Sequence, residues 1–215
     1  MTPNAACAPT WKDLPAELRR MNWWPLLLAP AAVIAVSIPY ALGDTRVLSL
    51  QNTLDDVAPF LIGFAAAVYV LRAFVTRNPL YILLAVLVTA MTIREIHLEK
   101  TAAEPYIQKG IYIAAGLVAI WGVAWHKRLI GPLTGDRRHW SWLTCTFAMY
   151  FISVVVSRRV FKFVPGERMM HRVLEETLET VAHVMFIVTC LLGSWRRSAG
   201  SGNEPSPADA PTTDR

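Results

Sequence analysis

The sequence predicts an all-α fold: a polytopic bundle of six transmembrane helices preceded by a short interfacial helix. Three observations predict it. Hydrophobic residues make up 54% of the 215 residues, charged residues make up only 17%, and the mean hydropathy is +0.36. Soluble globular chains carry about 25% charged residues, so the shortage of charge points to a surface that faces lipid. The length would also suit one soluble domain, but the long apolar runs favour the membrane class.

Six apolar runs give the predicted spans. They cover residues 24–42, 57–75, 80–93, 111–125, 140–157 and 180–195. A helix needs about 20 residues to cross a hydrocarbon core of about 30 Å. The third run has only 14 residues and the sixth has 16. These two helices can cross only if charged residues at their ends enter the membrane region.

The two ends of the chain differ from this central part. In residues 1–23, Asp13 and Pro15 are typical of a helix start, and an apolar stripe predicts a helix that lies on the membrane surface. Residues 24–197 form the predicted six-helix bundle. Residues 198–215 are rich in Ser, Gly, Pro, Asp and Thr without apolar periodicity, which predicts a disordered cytoplasmic tail.

Loop charges predict the orientation, because cytoplasmic loops of membrane proteins collect Lys and Arg. We expect both termini on the cytoplasmic side of a bacterial inner (plasma) membrane. The first outer loop, 43–56, then carries one Arg against three Asp. The fifth connection is the exception, with five cations on the outer side. The cytoplasmic cations are Lys12, Arg19, Arg20, Arg72, Arg77, Lys127, Arg128, Arg137, Arg138, Arg196 and Arg197.

A polar pocket at the outer face would explain that exception. The charged segment 94–100 follows the third run, and the charged segment 172–179 precedes the sixth. At about 100° per residue, Glu176, Glu179 and His183 share one helix face, and ionisable groups in a membrane helix should face the bundle interior. The predicted pocket residues are Glu95, His97, Arg158, Arg159, Glu176, Glu179 and His183.

The simplest pairing joins Arg158 or Arg159 to one of the glutamates. The pocket would then bind an ion, a lipid headgroup, another small molecule or a partner helix. The alternative is structural: charged side chains at helix ends reach back to the interface, and Arg–Glu pairs merely hold helices together.

Two further activities remain open, so the sequence leaves it uncertain whether the chain is an enzyme. Glu176, Glu179 and His183 could hold a divalent transition metal, and a metal-activated water could then hydrolyse a lipid-like substrate. The signal is weak, because di-iron bundles use Glu-x-x-His on two helices, whereas Glu-x-x-x-His occurs once here. The other alternative is small-ion or proton transport, which a carboxylate and histidine pocket would suit.

Other classes find less support in the residues. Haem would need His97 and His183 as axial ligands, but His97 lies at a helix end, so no haem is expected. No basic segment interleaved with aromatic residues exists to bind a nucleic acid. Cys145 and Cys190 are expected to be packing residues. The histidines expected to be solvated in connections are His126, His139 and His171.

The two charged segments resemble a group of uncharacterised bacterial inner-membrane proteins. Residues 94–100 read Arg-Glu-Ile-His-Leu-Glu-Lys, and residues 175–179 read Glu-Glu-Thr-Leu-Glu. In that group, an Arg-Glu-apolar-Asp-aromatic-His-Lys stretch precedes a final helix that begins Glu-Glu-x-x-Glu. Here His97 stands where the group tends to have Asp, and Glu99 where it tends to have His. The resemblance covers about residues 80–192 and implies that the two segments form one site; it implies no activity.

Overall fold

The computed structural model describes residues 14–96, 104–125, 129, 136–158, 167–193 and 195. All regular structure within these residues is helical, and no strand occurs among them. The predicted all-α class is therefore confirmed. The predicted tail at 198–215 and the first thirteen residues lie outside the described part of the chain.

Seven α-helices follow one another in the described residues. The first, α1, is short, and the other six each contain most of one predicted apolar run. Short 3-10 turns at Trp24–Leu27 and Thr45–Ser49 lead into α2 and α3. The helices are α1 (Leu14–Arg19), α2 (Leu28–Ala41), α3 (Leu50–Thr76), α4 (Pro79–Glu95), α5 (Glu104–Ala124), α6 (Arg137–Ser157) and α7 (Glu167–Leu191).

Four stretches are long and apolar enough to cross a membrane, which supports a membrane protein. They are Trp24–Ala41, Leu50–Thr76, Pro105–Ala124 and Arg137–Ser157. The helices α4 and α7 contain the two runs that are short in the sequence. The first of them has 17 residues, and the second has 25 but begins with a charged half.

Local caps explain where several helices begin and end. Arg77 ends α3 in the left-handed conformation, with φ 53°. The Asn78 side chain then accepts a hydrogen bond of 3.0 Å from the Leu80 amide and starts α4. Asp136 starts α6 in the same way, by accepting a bond of 3.1 Å from the His139 amide. The two-residue turn makes α3 and α4 antiparallel neighbours.

The last helix lies at the centre of the bundle. Helices α2, α3 and α6 pack around α7, α4 packs on α3, and α5 packs mainly on α4. The buried core includes Ile62, Val88 and Phe186, and a second cluster joins α2, α6 and α7 around Met149 and Leu178. Large apolar side chains remain exposed on the outer surface, as expected where lipid is the solvent. They include Phe60, Phe74, Tyr112, Ile120 and Phe151.

The N-terminal segment is fastened to the beginning of α6. The Asn22 amide donates to the Ser141 hydroxyl at 2.8 Å, and that hydroxyl donates back to the Asn22 carbonyl at 2.9 Å. The Trp24 and Trp142 rings meet edge to face, 5.2 Å apart. These contacts hold α1 beside the bundle; its placement on a membrane surface stays a prediction.

Polar side chains lie at both ends of the bundle. Because α3 and α4 are antiparallel, the start of α3 lies beside the end of α4. This end, which holds Asp55, Glu95 and Glu176, is called the Glu95 end. The opposite end, where Arg72 of α3 contacts Cys190 of α7, is called the Arg72 end.

Candidate polar binding site between α4, α6 and α7

An ion pair joins α4 to α7 at the Glu95 end. The Arg94 Nη2 atom lies 3.4 Å from the Glu179 Oε1 atom. The Glu179 side chain is only 8% exposed, whereas the Arg94 side chain is 56% exposed. The Ser153 hydroxyl of α6 lies beside the same carboxylate. Three helices therefore meet at Glu179.

The cation that pairs with Glu179 is not the predicted Arg158. This residue is exposed, and within the described chain no ion pair joins it to Glu95, Glu176 or Glu179. Arg158 lies five residues, or about 7.5 Å, beyond the Ser153 level, just past the end of α6. Arg159 and His97 fall outside the described residues.

His183 lies deeper in the bundle, one turn beyond Glu179. Its side chain is fully buried, and its ring meets the Tyr150 ring at 5.6 Å in an edge arrangement. Within the described residues, neither ring nitrogen of His183 has a hydrogen-bond partner, and neither has the buried Tyr150 hydroxyl. A buried polar group without a partner costs about 1–3 kcal/mol, so three adjacent ones mark a place that suits a polar ligand.

Electrostatic interactions link these groups into one site. The charged groups of Arg94, Glu95 and Glu179 are close enough to the Tyr150 hydroxyl to interact with it electrostatically. The Arg94 guanidinium group also interacts electrostatically with His183. Glu95 itself is 9% exposed, although it stands at the last position of α4. The charged and polar groups of three helices thus converge on a small volume.

An acidic groove adjoins the site. It has a volume of about 650 Å³ and runs between the start of α3 and the end of α4. Asp55, Asp56 and Glu95 line it together with Phe60. The Glu176 carboxyl group lies within hydrogen-bonding reach of Asp55. Two carboxylates this close repel each other, and a cation or a shared proton between them relieves the repulsion.

The structure thus brings together four predicted pocket residues, Glu95, Glu176, Glu179 and His183, and adds others that the sequence reasoning missed. Arg94 belongs to the charged segment 94–100 but is not among the predicted pocket residues, and Asp55 falls in the predicted outer loop. Tyr150 and Ser153 were treated as ordinary members of an apolar run. Their i, i+3 spacing on α6 was the one available signal.

Metal binding finds no support in this geometry. Among the described residues, no three His, Cys, Asp or Glu side chains are grouped closely enough to hold a metal ion. Glu176 and His183 are seven residues apart, about 10 Å along the axis of α7. The predicted ligand set of Glu176, Glu179 and His183 is therefore spread along the helix instead of gathered around one point.

A second buried polar cluster occupies the Arg72 end. Arg72 is completely buried and donates hydrogen bonds to the carbonyl oxygens of Cys190 (2.9 Å) and Thr189 (3.4 Å). Its guanidinium carbon lies 4.0 Å from the centre of the Tyr81 ring and 5.3 Å from that of Trp195. A cation here is favourable, because carbonyls at a helix C-terminus carry partial negative charge.

Two histidines that were expected to be solvated are buried. His139 is 1% exposed, inside α6, and its ring lies within hydrogen-bonding reach of the Thr189 backbone. His171 is 9% exposed. The expectation of solvated connections was therefore wrong for both, because α6 and α7 begin earlier than their apolar runs. His126 lies outside the described residues.

Comparison with protein-family models, with curated proteins and with solved structures gave no match. The resemblance carried by residues 94–100 and 175–179 therefore stays a prediction.

Proposed function

We propose that this chain is a six-span inner-membrane protein, with both termini in the cytoplasm, that binds a small cation-bearing ligand at its outer face. Four helices already have the length and apolarity of spans. The other two, α4 and α7, belong to the same bundle, and at 17 and 25 residues they are about 26 and 38 Å long.

The observation that carries the binding proposal is the fully buried His183, whose ring nitrogens lack partners within the described chain. A ligand group with hydrogen-bond donors would satisfy this imidazole and the Tyr150 hydroxyl. The neighbouring carboxyl groups select the charge of such a ligand. Within the described residues, the carboxyl groups that line the site and its groove belong to Asp55, Asp56, Glu95, Glu176 and Glu179, and Arg94 forms an ion pair with Glu179.

A primary ammonium group fits both requirements, since it carries one positive charge and three donors. It could come from a free amine or from the headgroup of an amine-bearing phospholipid. The exposed Phe60 ring at the groove offers a further favourable surface for a cation.

Thermal unfolding of the purified protein tests this proposal. Ethanolamine serves as the free-amine probe, with sodium chloride as its control. Phosphatidylethanolamine in mixed micelles serves as the lipid probe, with phosphatidylcholine as its control, because the ammonium group of phosphatidylcholine has no N–H donors. A ligand at a hundredfold excess over its Kd stabilises the folded state by about 2.7 kcal/mol, which raises the unfolding temperature. Stabilisation by the first probe identifies a free amine, and stabilisation by the second alone identifies a headgroup.

Variants locate the effect. Glu95→Gln and His183→Phe should each abolish the stabilisation, whereas Glu17→Gln, in α1 at the other end of the bundle, should keep it. No stabilisation by either probe, or equal stabilisation of all variants, would overturn amine binding at this site. Stoichiometric zinc, iron or manganese in the purified protein would instead favour the metal-dependent hydrolase.

Proton or small-ion transport is the second candidate, and one observation favours it. Ionisable groups follow one another from the groove towards the interior: Asp55 beside Glu176, then Glu179, then His183. Proteoliposomes with an entrapped pH-sensitive dye would test this. A proton flux that Glu179→Gln removes would favour transport over simple binding, and the absence of flux in the wild-type protein would exclude proton movement.

A further inference from the structure

An apolar groove lies between α3, α4 and α5, away from the polar site. Its volume is about 760 Å³. Ala73 and Phe74 of α3 form one wall, Ile82 and Ala90 of α4 form the floor, and Ala114 of α5 forms the other wall. Small side chains leave this space open, and α5 packs mainly on α4, so in the proposed topology the groove opens towards lipid.

The groove has the length of one lipid leaflet. Its lining on α4 extends from Ile82 to Ile93, eleven residues along the helix, which is about 16 Å. A single leaflet contributes half of a hydrocarbon core of about 30 Å. An extended acyl chain of one leaflet therefore matches the groove in length and in chemistry.

A positive charge marks one end of this groove. Arg77, in the turn between α3 and α4, is exposed and lines the groove. This turn joins the ends of two proposed spans, so the proposed topology places it at the boundary between hydrocarbon and headgroups. A guanidinium group binds phosphate with two parallel hydrogen bonds. A lipid with one acyl chain in the groove would have its phosphate within reach of Arg77.

We propose that this groove is a binding site for an anionic phospholipid, with one acyl chain between α3, α4 and α5 and the phosphate at Arg77. The charge of Arg77 complements the net negative charge of such a lipid, and the apolar walls complement its chain. The site is independent of the proposed amine site, because Arg77 lies just before the start of α4 and Glu95 lies at its end. It is also independent of which side of the membrane is cytoplasmic.

Native mass spectrometry of the detergent-solubilised chain tests the site, with phosphatidylglycerol and phosphatidylcholine as probes. The wild-type protein should retain phosphatidylglycerol preferentially. Arg77→Gln should weaken its apparent affinity about tenfold, as expected for loss of a charge-assisted contact. Ala114→Phe should prevent binding by filling the groove, because Ala114 is half-buried and lines the space.

Arg138→Gln is the matched control, since Arg138 is an exposed arginine at the same end of the bundle but outside the groove. It should bind like the wild-type protein. Ala114→Leu replaces Ala114→Phe if the larger side chain prevents folding. Equal retention of the two lipids, or loss of phosphatidylglycerol in only one of the charge and groove variants, would overturn the proposal, because the site requires both features.

Discussion

Two arginines at opposite ends of the bundle reach the same helix, α7, in different ways. Arg72 is completely buried, with two carbonyl oxygens and two aromatic rings around it. The Arg94 side chain is 56% exposed and makes one contact of 3.4 Å to Glu179. A buried charge held by carbonyl oxygens and aromatic rings stabilises the fold, whereas a charge beside incompletely paired groups is available to a ligand.

Two buried histidines repeat this difference. The His139 ring lies within hydrogen-bonding reach of the Thr189 backbone, so it belongs to the Arg72 cluster that closes the end of α7. Its Nε2 atom has no hydrogen-bond partner among the described residues, so this ring is half satisfied. The His183 ring is equally buried, but neither of its nitrogens has a partner among the described residues. Burial alone therefore does not distinguish a structural polar residue from a binding residue; the state of its hydrogen bonds does.

The largest effect is expected for Arg72→Met. Loss of the guanidinium group leaves the Thr189 and Cys190 carbonyls buried without their donor, and we expect the free energy of unfolding to fall by about 3 kcal/mol or more. Arg94→Met should lower it by a smaller amount, about 1 kcal/mol, because the Arg94 side chain is 56% exposed even though Glu179 is nearly buried. Chemical unfolding in detergent measures both. Equal losses would remove the distinction between the two clusters.

Gly193→Ala should have the next largest effect. Gly193 has φ +84°, and an added Cβ would lie 2.7 Å from the Arg72 Nη2 atom. Backbone strain and this clash together should lower the free energy of unfolding by about 1–3 kcal/mol. Gly63→Ala is the control, because its Cβ would meet only Thr92 Cγ2 at an ordinary 3.6 Å. That variant should be neutral or slightly stabilising, and a loss as large as that of Gly193→Ala would refute the argument.

Substitution of the two buried histidines should change the free energy of unfolding in opposite directions. His139→Leu should lower the free energy of unfolding by about 1 kcal/mol, since it removes a partner of the α7 C-terminus. His183→Leu should leave it unchanged or raise it by up to about 1 kcal/mol, since it removes unsatisfied buried polar atoms. Thermal unfolding without added ligand measures both. If His183→Leu destabilises the protein as much as His139→Leu, then His183 has a structural partner and the binding argument fails.

The smallest energetic effect is expected for cysteines placed at the two ends. In a background without native cysteines, Asp56→Cys should react with an impermeant thiol reagent from the outside, and Arg138→Cys only from the cytoplasm. Both positions are exposed, so stability should barely change. Labelling of both from one side would contradict the proposed topology, and the reverse pattern would move the polar site to the cytoplasmic face.

Much of the fold was predictable from the sequence, because apolar runs of membrane length form helices in almost any context. Each of the six predicted runs lies mostly in one helix. The acidic part of the site was also predictable, since short runs force Glu95 and Glu179 inward. The role of Arg94 was not predictable, because it lies about 100° from Glu95 around α4 and contacts Glu179 only through its long side chain. The burial of Arg72 and His139 was not predictable, because counting Lys and Arg in loops places an ionisable residue near a helix end in solvent.

The sequence by itself determined the all-helical membrane class, the approximate spans and the helix faces that carry ionisable groups. These follow from composition and local periodicity, which depend on the residues of one helix at a time. The tertiary structure decided which of those groups meet. Three features depend on how separate helices pack: the pairing of Arg94 with Glu179, the burial of Arg72 against α4 and α7, and the lack of partners for His183 among the described residues. No pattern within one helix contains that information.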